Sequence, residues 1–486
     1  METLRVNITK ADTGKSTSAR VHIKDKKGKS YYPNKCIRYE KDRHFTVDGK
    51  FELQVPPGRI NILVEKGKEY RSVSGTLEIE KGEDHNVDCE LYPWIDMTER
   101  GWYSGDLHVH RPLENIPHLM LVEDLNFAPV ITVWNDRNDW GSREIPEEKF
   151  VKVDENHIYG ILTQEDERGG GAIMIINPDE PINFGETSRW FPANYAYCQE
   201  AKKRSYIVDQ EKTFWWEAPV NIALGGVDTV EIVNNHMQRE EMMDDEAWGR
   251  PRDIQRYPGQ MGFVENVLNQ YYHYLNLGIK LPISAGSASG VLKNPLGYNR
   301  LYVHLGRRFN HNLWLRGMKV GRAFATNGPM LFFSINHSEL GKTIEVPAGE
   351  KFHGEVSVNA ISQNILDKVQ IIHNAEIIKE FNGGGNSEIN QGFDIVIEDS
   401  GWLTARVFEK NSETVRFAHT NPVYIEIGSP MKPRKESAKY YLDWCKELLF
   451  ASLADKNRYA SSKEREEVEN FYRRSTTFYR DLLLKS

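Results

Sequence analysis

The sequence predicts an α/β protein: a central run of alternating strands and helices between two β-sandwiches, ending in a helical hairpin. Three observations carry this expectation. Residues 1–98 and 329–428 alternate apolar and polar positions, with turn residues at the breaks. Residues 99–328 repeat a strand-then-helix order. Residues 436–486 carry two apolar stripes at helical spacing. A chain of 486 residues is long enough for about three domains.

In residues 1–98 the alternation shows in Leu4-Arg5-Val6-Asn7-Ile8, in Ala19-Arg20-Val21-His22-Ile23 and in Phe51-Glu52-Leu53-Gln54-Val55. Asp48-Gly49 precedes the last of these and Pro56-Pro57-Gly58 follows it, so the strands are short and a small β-sandwich is expected. In residues 99–328 the strand candidates are 106–110, 129–134, 159–163, 172–176, 206–208, 230–233, 280–284 and 301–304. Between 230–233 and 280–284 lies a helical pattern over 263–277, with Val264, Val267, Leu268, Tyr271 and Leu275 on one face. Repeated β-then-α order suggests a parallel sheet or barrel, whose site would lie at the C-terminal ends of the strands. Residues 329–428 return to strands, broken by the turn Asn382-Gly383-Gly384-Gly385-Asn386, and a second sandwich is expected. Tyr441, Trp444, Cys445, Leu448 and Leu449 form one helical stripe, and Val468, Phe471, Tyr472, Tyr479, Leu482 and Leu483 form another.

Composition narrows the function. A net charge of −8 gives no electrostatic footprint for nucleic acid or an anionic membrane. No apolar run approaches the length of a membrane span. The four cysteines, Cys36, Cys89, Cys198 and Cys445, are too scattered for a disulfide scaffold or a zinc ribbon. The first residues lack a signal-peptide pattern, and the compartment stays open: the periplasm or the exterior follows if a leader has been removed. Eight of the 11 tryptophans fall between Trp102 and Trp314, so the middle of the chain holds either a large aromatic core or a large aromatic pocket.

The sharpest motif is Ser104-Gly105-Asp106-Leu107-His108-Val109-His110. In a strand, alternate residues share a face, so Asp106, His108 and His110 project together. Two imidazoles at that spacing can ligate one metal ion. Other strand ends are polar as well: Asn135-Asp136-Arg137-Asn138, Gln164-Glu165-Asp166-Glu167-Arg168, Asp209-Gln210-Glu211-Lys212, Asn234-Asn235-His236 and Ala285-Gly286-Ser287-Ala288-Ser289-Gly290. His236 is a candidate third imidazole, against a buried histidine bonded to a carbonyl. Glu165 is the candidate carboxylate ligand, with Asp166 and Glu167 as rivals. One divalent ion, Zn, Mn or Fe, suits such N/O ligands and would lower the pKa of a bound water.

Gly105-Asp106-Leu107-His108-Val109-His110 resembles the first motif of the PHP (polymerase and histidinol phosphatase) metallohydrolases, most closely their CehA/McbA branch. The β domain ahead of it resembles carboxypeptidase-regulatory-like domains, which fits that branch. The resemblance implies a distorted (β/α)7-like barrel with metals at its C-terminal face, and hydrolysis of phosphoesters, carbamates or amides. The chain departs from the family at Arg137, Ala288 and Gly290, which replace three expected ligands. His108, His110, Glu165 and His236 match, which leaves one metal ion rather than three.

The replacements suggest roles. Arg137, with Lys212, would hold an anionic group or an oxyanion, against a salt bridge from Arg137 to Asp136 or Asp139. Asp106 or Asp136 would orient or accept a proton. Ser287 and Ser289 offer hydroxyls, against a tight turn. Trp134, Asn135, Trp215 and Trp216 would line a pocket for a sugar or an aromatic group, against ordinary packing. The expected activity is therefore metal-dependent hydrolysis of a small-molecule ester, amide, carbamate or phosphoester, carbohydrate-linked in one version. The competing reading is a metal-poor barrel that binds a carbohydrate or other small ligand without catalysis.

Overall fold

The computed structural model describes residues 1–39, 43–306, 308–410, 413–455 and 457–486. The first region is built of two sheets. Strands Lys50–Val55, Glu2–Lys10 and His85–Leu91 form one; Ile37–Tyr39, His44–Asp48, Ser18–Asp25, Gly58–Glu65 and Val73–Ile79 form the other. The alternation in Glu2–Lys10 turns Leu4, Val6 and Ile8 into a core shared with Val21, Phe45 and Val64. Gly49 adopts φ +76°, and a Cβ there would meet the Ser16 hydroxyl at 1.7 Å, so the turn admits no side chain.

The central region departs from the expected helix-ringed (β/α)7-like barrel. The chain is 38% strand and 20% helix. Its largest sheet closes on itself but is mixed, and it runs on from the central strands through Ala323–Thr326 into Leu366–His373, Gly401–Glu409 and Phe417–Thr420 of the C-terminal region. Strand Phe127–Trp134 pairs in parallel with Ile158–Arg168, but Gly171–Ile176 is antiparallel to both of its neighbours, Ile158–Arg168 and Ile207–Gln210. The physical reason is local. Gly169 and Gly170 fold the chain straight back, so no crossover helix separates these strands, as a parallel pair would need. The turn is also sealed: a Cβ on Gly170 would meet the Glu217 carboxyl at 2.5 Å, and one on Gly171 would meet Trp215 at 2.3 Å. Elsewhere, 135–149 connects strands with mostly irregular chain rather than helix, and a long irregular stretch over 234–258 precedes the crossover helix Gly259–Leu275.

Several element boundaries also move. The expected strand 106–110 starts earlier, at Trp102–Gly105, and 106–110 continues as extended chain with bridges from Val109 to Val130 and to Ser289. The strand expected over 159–163 runs on to Arg168, so Glu165 and Glu167 sit on a strand rather than in a loop. The helix expected over 263–277 is Gly259–Leu275.

Beyond 329, strands Met330–Ile335, Phe352–Ile361 and Glu388–Ile397 form a separate sheet that shares a core with the extended closed sheet. Helices Lys435–Ala454 and Ser462–Lys485 pack together and dock on the central region through buried aromatics. The Tyr441 hydroxyl donates to the Gln270 carbonyl at 2.6 Å, Tyr472 to Glu217 Oε1 at 2.5 Å and Tyr479 to the Pro219 carbonyl at 2.8 Å. Each of these rings is buried with its polar tip satisfied, which is what makes an aromatic contact of this size favourable. Among the described residues, no helix is long and apolar enough to cross a membrane.

Candidate functional site

The extended chain after Trp102–Gly105 carries His108 and His110 alongside strand Phe127–Trp134, through the bridge from Val109 to Val130. Asp106 sets that path. Its Oδ1 accepts from the amides of His108 (3.1 Å) and Ser287 (3.0 Å), and its Oδ2 accepts from the amide of Gly297 (2.8 Å). Burial pushes this carboxyl up to about 6 despite the three amides. Asp106 thus pins three loops and is occupied in doing so.

His108 Nε2 and His110 Nε2 face each other at 3.0 Å. The Glu165 carboxylate completes the corner: Oε2 lies 3.2 Å from His110 Nε2, and Oε1 lies 3.6 Å from His108 Nε2. Behind them His108 Nδ1 stands 3.4 Å from Glu211 Oε1 and 4.0 Å from Glu231 Oε1. Three overlapping groups bring their ligand atoms within 4.8 Å of one another: His108 with His110 and Glu165; His108 with Glu211 and Glu231; and Glu165 with Glu167 and Glu211. These buried His and Glu groups could hold a metal ion.

Two observations test the fit. In a tetrahedral site with metal–nitrogen bonds of about 2.05 Å, ligand atoms stand about 3.3 Å apart, close to the three separations at the His108, His110 and Glu165 corner. Buried polar atoms also lack hydrogen-bond partners here: His108 Nδ1, Glu165 Oε2 and both carboxyl oxygens of Glu231. Such atoms are costly unless something coordinates them. Burial holds both histidines in the neutral, ligating form, with His108 pushed well below its ordinary value and His110 down to about 4. Burial, then the charge of Glu211, raises Glu165 well above the usual carboxylate range. The residues therefore fit a divalent ion, whose charge would reverse that push.

Lys212 and Glu211 form the charged floor. The Lys212 ammonium donates to Glu211 Oε1 and lies 4.6 Å from the Trp215 ring centre. Trp215 Nε1 donates to Glu211 Oε2 at 2.7 Å. Burial works to raise Glu211, but Lys212 and then His108 hold it well below the ordinary value. Trp248, which is 42% exposed, stacks on Trp215 with ring centres 4.9 Å apart. On the opposite rim Trp134 lies 4.7 Å from the His110 ring, and its Nε1 donates to Glu167 Oε2 at 3.0 Å. Asn135 exchanges two 2.8 Å bonds with the Glu167 backbone.

The remaining expected residues fall outside this cluster. Asp136 and Arg137 are exposed, and Arg137 makes a bidentate pair with Asp139 at 2.9 Å. The placement is that of a solvated ion pair. His236 donates from Nδ1 to the Asp245 carbonyl at 2.8 Å and stacks on Phe263; it shares none of the three ligand groups. That bond leaves Nε2 as the lone-pair nitrogen. Trp216 faces the helical hairpin, its carbonyl accepting from Trp444 Nε1 at 3.1 Å. The Ser287 hydroxyl accepts from the Asn299 amide at 2.9 Å, and Ser289 accepts from Arg111 Nε at 3.0 Å. Trp140 is packing: its Nε1 donates to Thr132 at 2.8 Å.

Sequence reading missed Glu211 and Glu231 as members of the site. Glu231 had a legible signal, a carboxylate between Val230 and Ile232 in a strand whose five residues are all buried. Glu211 had only its place beside Lys212.

No family model matches the chain, and no curated protein matches it. Among solved structures it is similar to two of the CARDB domain of the PF1109 protein from Pyrococcus furiosus, one a crystal structure in complex with di-metal ions and one a solution NMR structure. Each is 17% identical with a TM-score of 0.14, and they cover 21% and 20% of this chain and 96% of their own. At that score they bear on neither the fold nor the site.

Proposed function

We propose that the chain is a metal-dependent hydrolase acting on a small-molecule ester, amide, carbamate or phosphoester. We also propose that it is a distant relative of the PHP metallohydrolases, on the strength of the His108 and His110 motif. The observation that carries the reading is the convergence of His108 Nε2, His110 Nε2 and the Glu165 carboxylate around partnerless buried polar atoms. A bound divalent ion would supply Lewis-acid polarisation and a water acidic enough to attack near neutral pH.

The chain's own residues do the rest. Asp106 orients the histidine segment through the amide of His108. Lys212, held by Glu211 over the Trp215 face, offers a fixed positive charge to an anionic oxygen of the substrate. Glu167, aimed by Trp134 and Asn135, is the carboxyl at the half-buried rim and the group placed to move a proton. Trp134 and Trp248 bring flat faces to that rim, suited to a sugar ring or an aromatic leaving group.

One observation favours the second reading, a non-catalytic binding protein. The ammonium of Lys212 already brings a positive charge to the carboxylates, and the cluster is almost sealed, with Glu165 and Lys212 each 1% exposed. Elemental analysis separates the two. The wild type should carry about one equivalent of Zn, Mn or Fe, and His108→Ala/His110→Ala almost none. Less than about 0.1 equivalents in the wild type after loading would sink the hydrolase reading. A loaded protein silent on a panel of esters, carbamates and phosphoesters would leave the binding reading.

A further inference from the structure

A second polar cavity, of about 310 Å³, opens where the N-terminal sandwich, the central region and the C-terminal strands meet. Its cations come from all three: Arg20 and Lys68 from the first, Arg239 and Arg300 from the second, Arg416 from the third. Only three carboxylates, Glu65, Glu123 and Glu409, face these five cations.

The carboxylates are already engaged. Glu65 takes Arg20 at 3.2 Å and Arg239 at 3.0 Å. Glu123 pairs with Arg20 at 2.5 Å. Glu409 accepts from Ser362 at 2.6 Å and from Asn364 at 2.9 Å, and reaches Arg416 only at 3.9 Å. Arg416 Nε is buried without a hydrogen-bond partner. Among the described residues, neither Lys68 nor Arg300 has a carboxylate at ion-pair distance. Lys68 donates to the Asn327 carbonyl at 2.6 Å and lies over the Tyr298 ring at 4.3 Å. Arg300, wholly buried, spends its donors on the carbonyls of Gly297, Glu123 and Asp124. Carbonyls satisfy the hydrogen bonds but leave the charge uncompensated, and an uncompensated buried cation is destabilising. Burial, then Arg300 and Arg416, pushes the Lys68 ammonium well below its ordinary value, as expected of a cation short of anions.

We propose that this cleft binds a small dianion, a phosphate monoester or a dicarboxylate, held by Lys68 and Arg416 in the field of Arg300. With Lys68 held protonated by the bound anion, the lining carries five cations against three carboxylates, so two negative charges balance it, and the cavity volume lies at the lower end of the range for small-ligand sites. The site is independent of the histidine cluster and of the activity proposed for it.

The test is calorimetric titration of the full chain with inorganic phosphate and, separately, with succinate, each at constant ionic strength. Saturable binding is expected for at least one of them below about 10 mM, with a matching rise in Tm that potassium chloride does not reproduce. Binding of phosphate alone assigns a phosphate ligand; binding of succinate assigns a dicarboxylate. Lys68→Met and Arg416→Met should each weaken binding about tenfold or more. Arg416→Met is the milder change for folding, since its nearest carboxylate is 3.9 Å away. His110→Ala should bind as the wild type does. No saturable binding of either anion, or both cleft variants within about twofold of the wild type, would overturn the proposal. So would loss of binding in His110→Ala with retention in Arg416→Met.

Discussion

His157 ties the strand that carries Glu165 to the rest of the central region, and its contribution can be worked out with sign and size. It immediately precedes strand Ile158–Arg168. Its Nδ1 lies 2.7 Å from Asp154 Oδ1 and its Nε2 lies 3.4 Å from Asp124 Oδ1, just past helix Ile116–Glu123. Two carboxylates on the two ring nitrogens favour the imidazolium. Burial opposes it, but the bonds to Asp124 and then Asp154 win and lift the group from 6.5 to about 8. Because the folded value is raised, the stabilisation is fully present below about pH 6.5 and is lost as pH rises through about 8. That difference corresponds to about 2 kcal/mol, and the His157 side chain is only 9% exposed, so solvent screening removes little of it. The perturbation is His157→Gln, which keeps a polar side chain and removes the titration. Thermal melts of both proteins between about pH 6 and pH 9 should show the variant's deficit largest at the acid end, shrinking by about 2 kcal/mol, a few degrees in Tm, by the alkaline end. A deficit that is constant with pH, or that grows as pH rises, would refute the reasoning.

Three further outcomes are expected. Lys212→Met strands a buried carboxylate at Glu211 and should cost about 3–5 kcal/mol, read by denaturant melts; adding Glu211→Gln should recover a good part of that loss. Gly105→Ala places a Cβ 2.3 Å from the Trp314 ring beneath the histidine segment, and should cost about 3 kcal/mol or leave the protein insoluble, measured as soluble yield and Tm. Trp216→Ala should loosen the helical hairpin, seen as faster proteolysis between 436 and 486, while metal content stays at the wild-type level; an equal loss of metal would place Trp216 in the site after all.

Much of the candidate site was legible in local pattern. His108 and His110 two apart on extended chain must share a face, and that follows from backbone geometry alone. Glu165 was legible as a carboxylate after an apolar run, though on a strand rather than in the loop expected for it. For Arg137 the local pattern left two readings open, a pocket cation or a salt bridge to Asp136 or Asp139, and the structure takes the pair with Asp139: a local bidentate pair in water competes well with a distant pocket. Glu231 stands out as a carboxylate between Val230 and Ile232, but a strand buried on both faces offers no alternation to say which face it points to, so its meeting with His108 was not legible.

The aromatic middle of the chain divides in the same way. Composition showed that the tryptophans cluster, but their positions along the chain do not say which rings pack and which line a rim. Tertiary structure sends Trp140 and Trp216 into packing and leaves Trp134 and Trp248 beside the cluster: the rings of Trp140, Trp134 and Trp248 go where their N–H finds an acceptor, and Trp216 packs against Trp444 of the helical hairpin. The sequence by itself determined the strands of both β regions, the two terminal helices and the paired histidines, all of which depend on residues near one another in the chain. Only the tertiary structure decided how the central sheet closes, that it is mixed rather than ringed by helices, and that Glu211, Glu231 and Lys212 meet His108. Those outcomes depend on which distant strands pair, and a glycine turn as short as 169–170 is enough to change the answer.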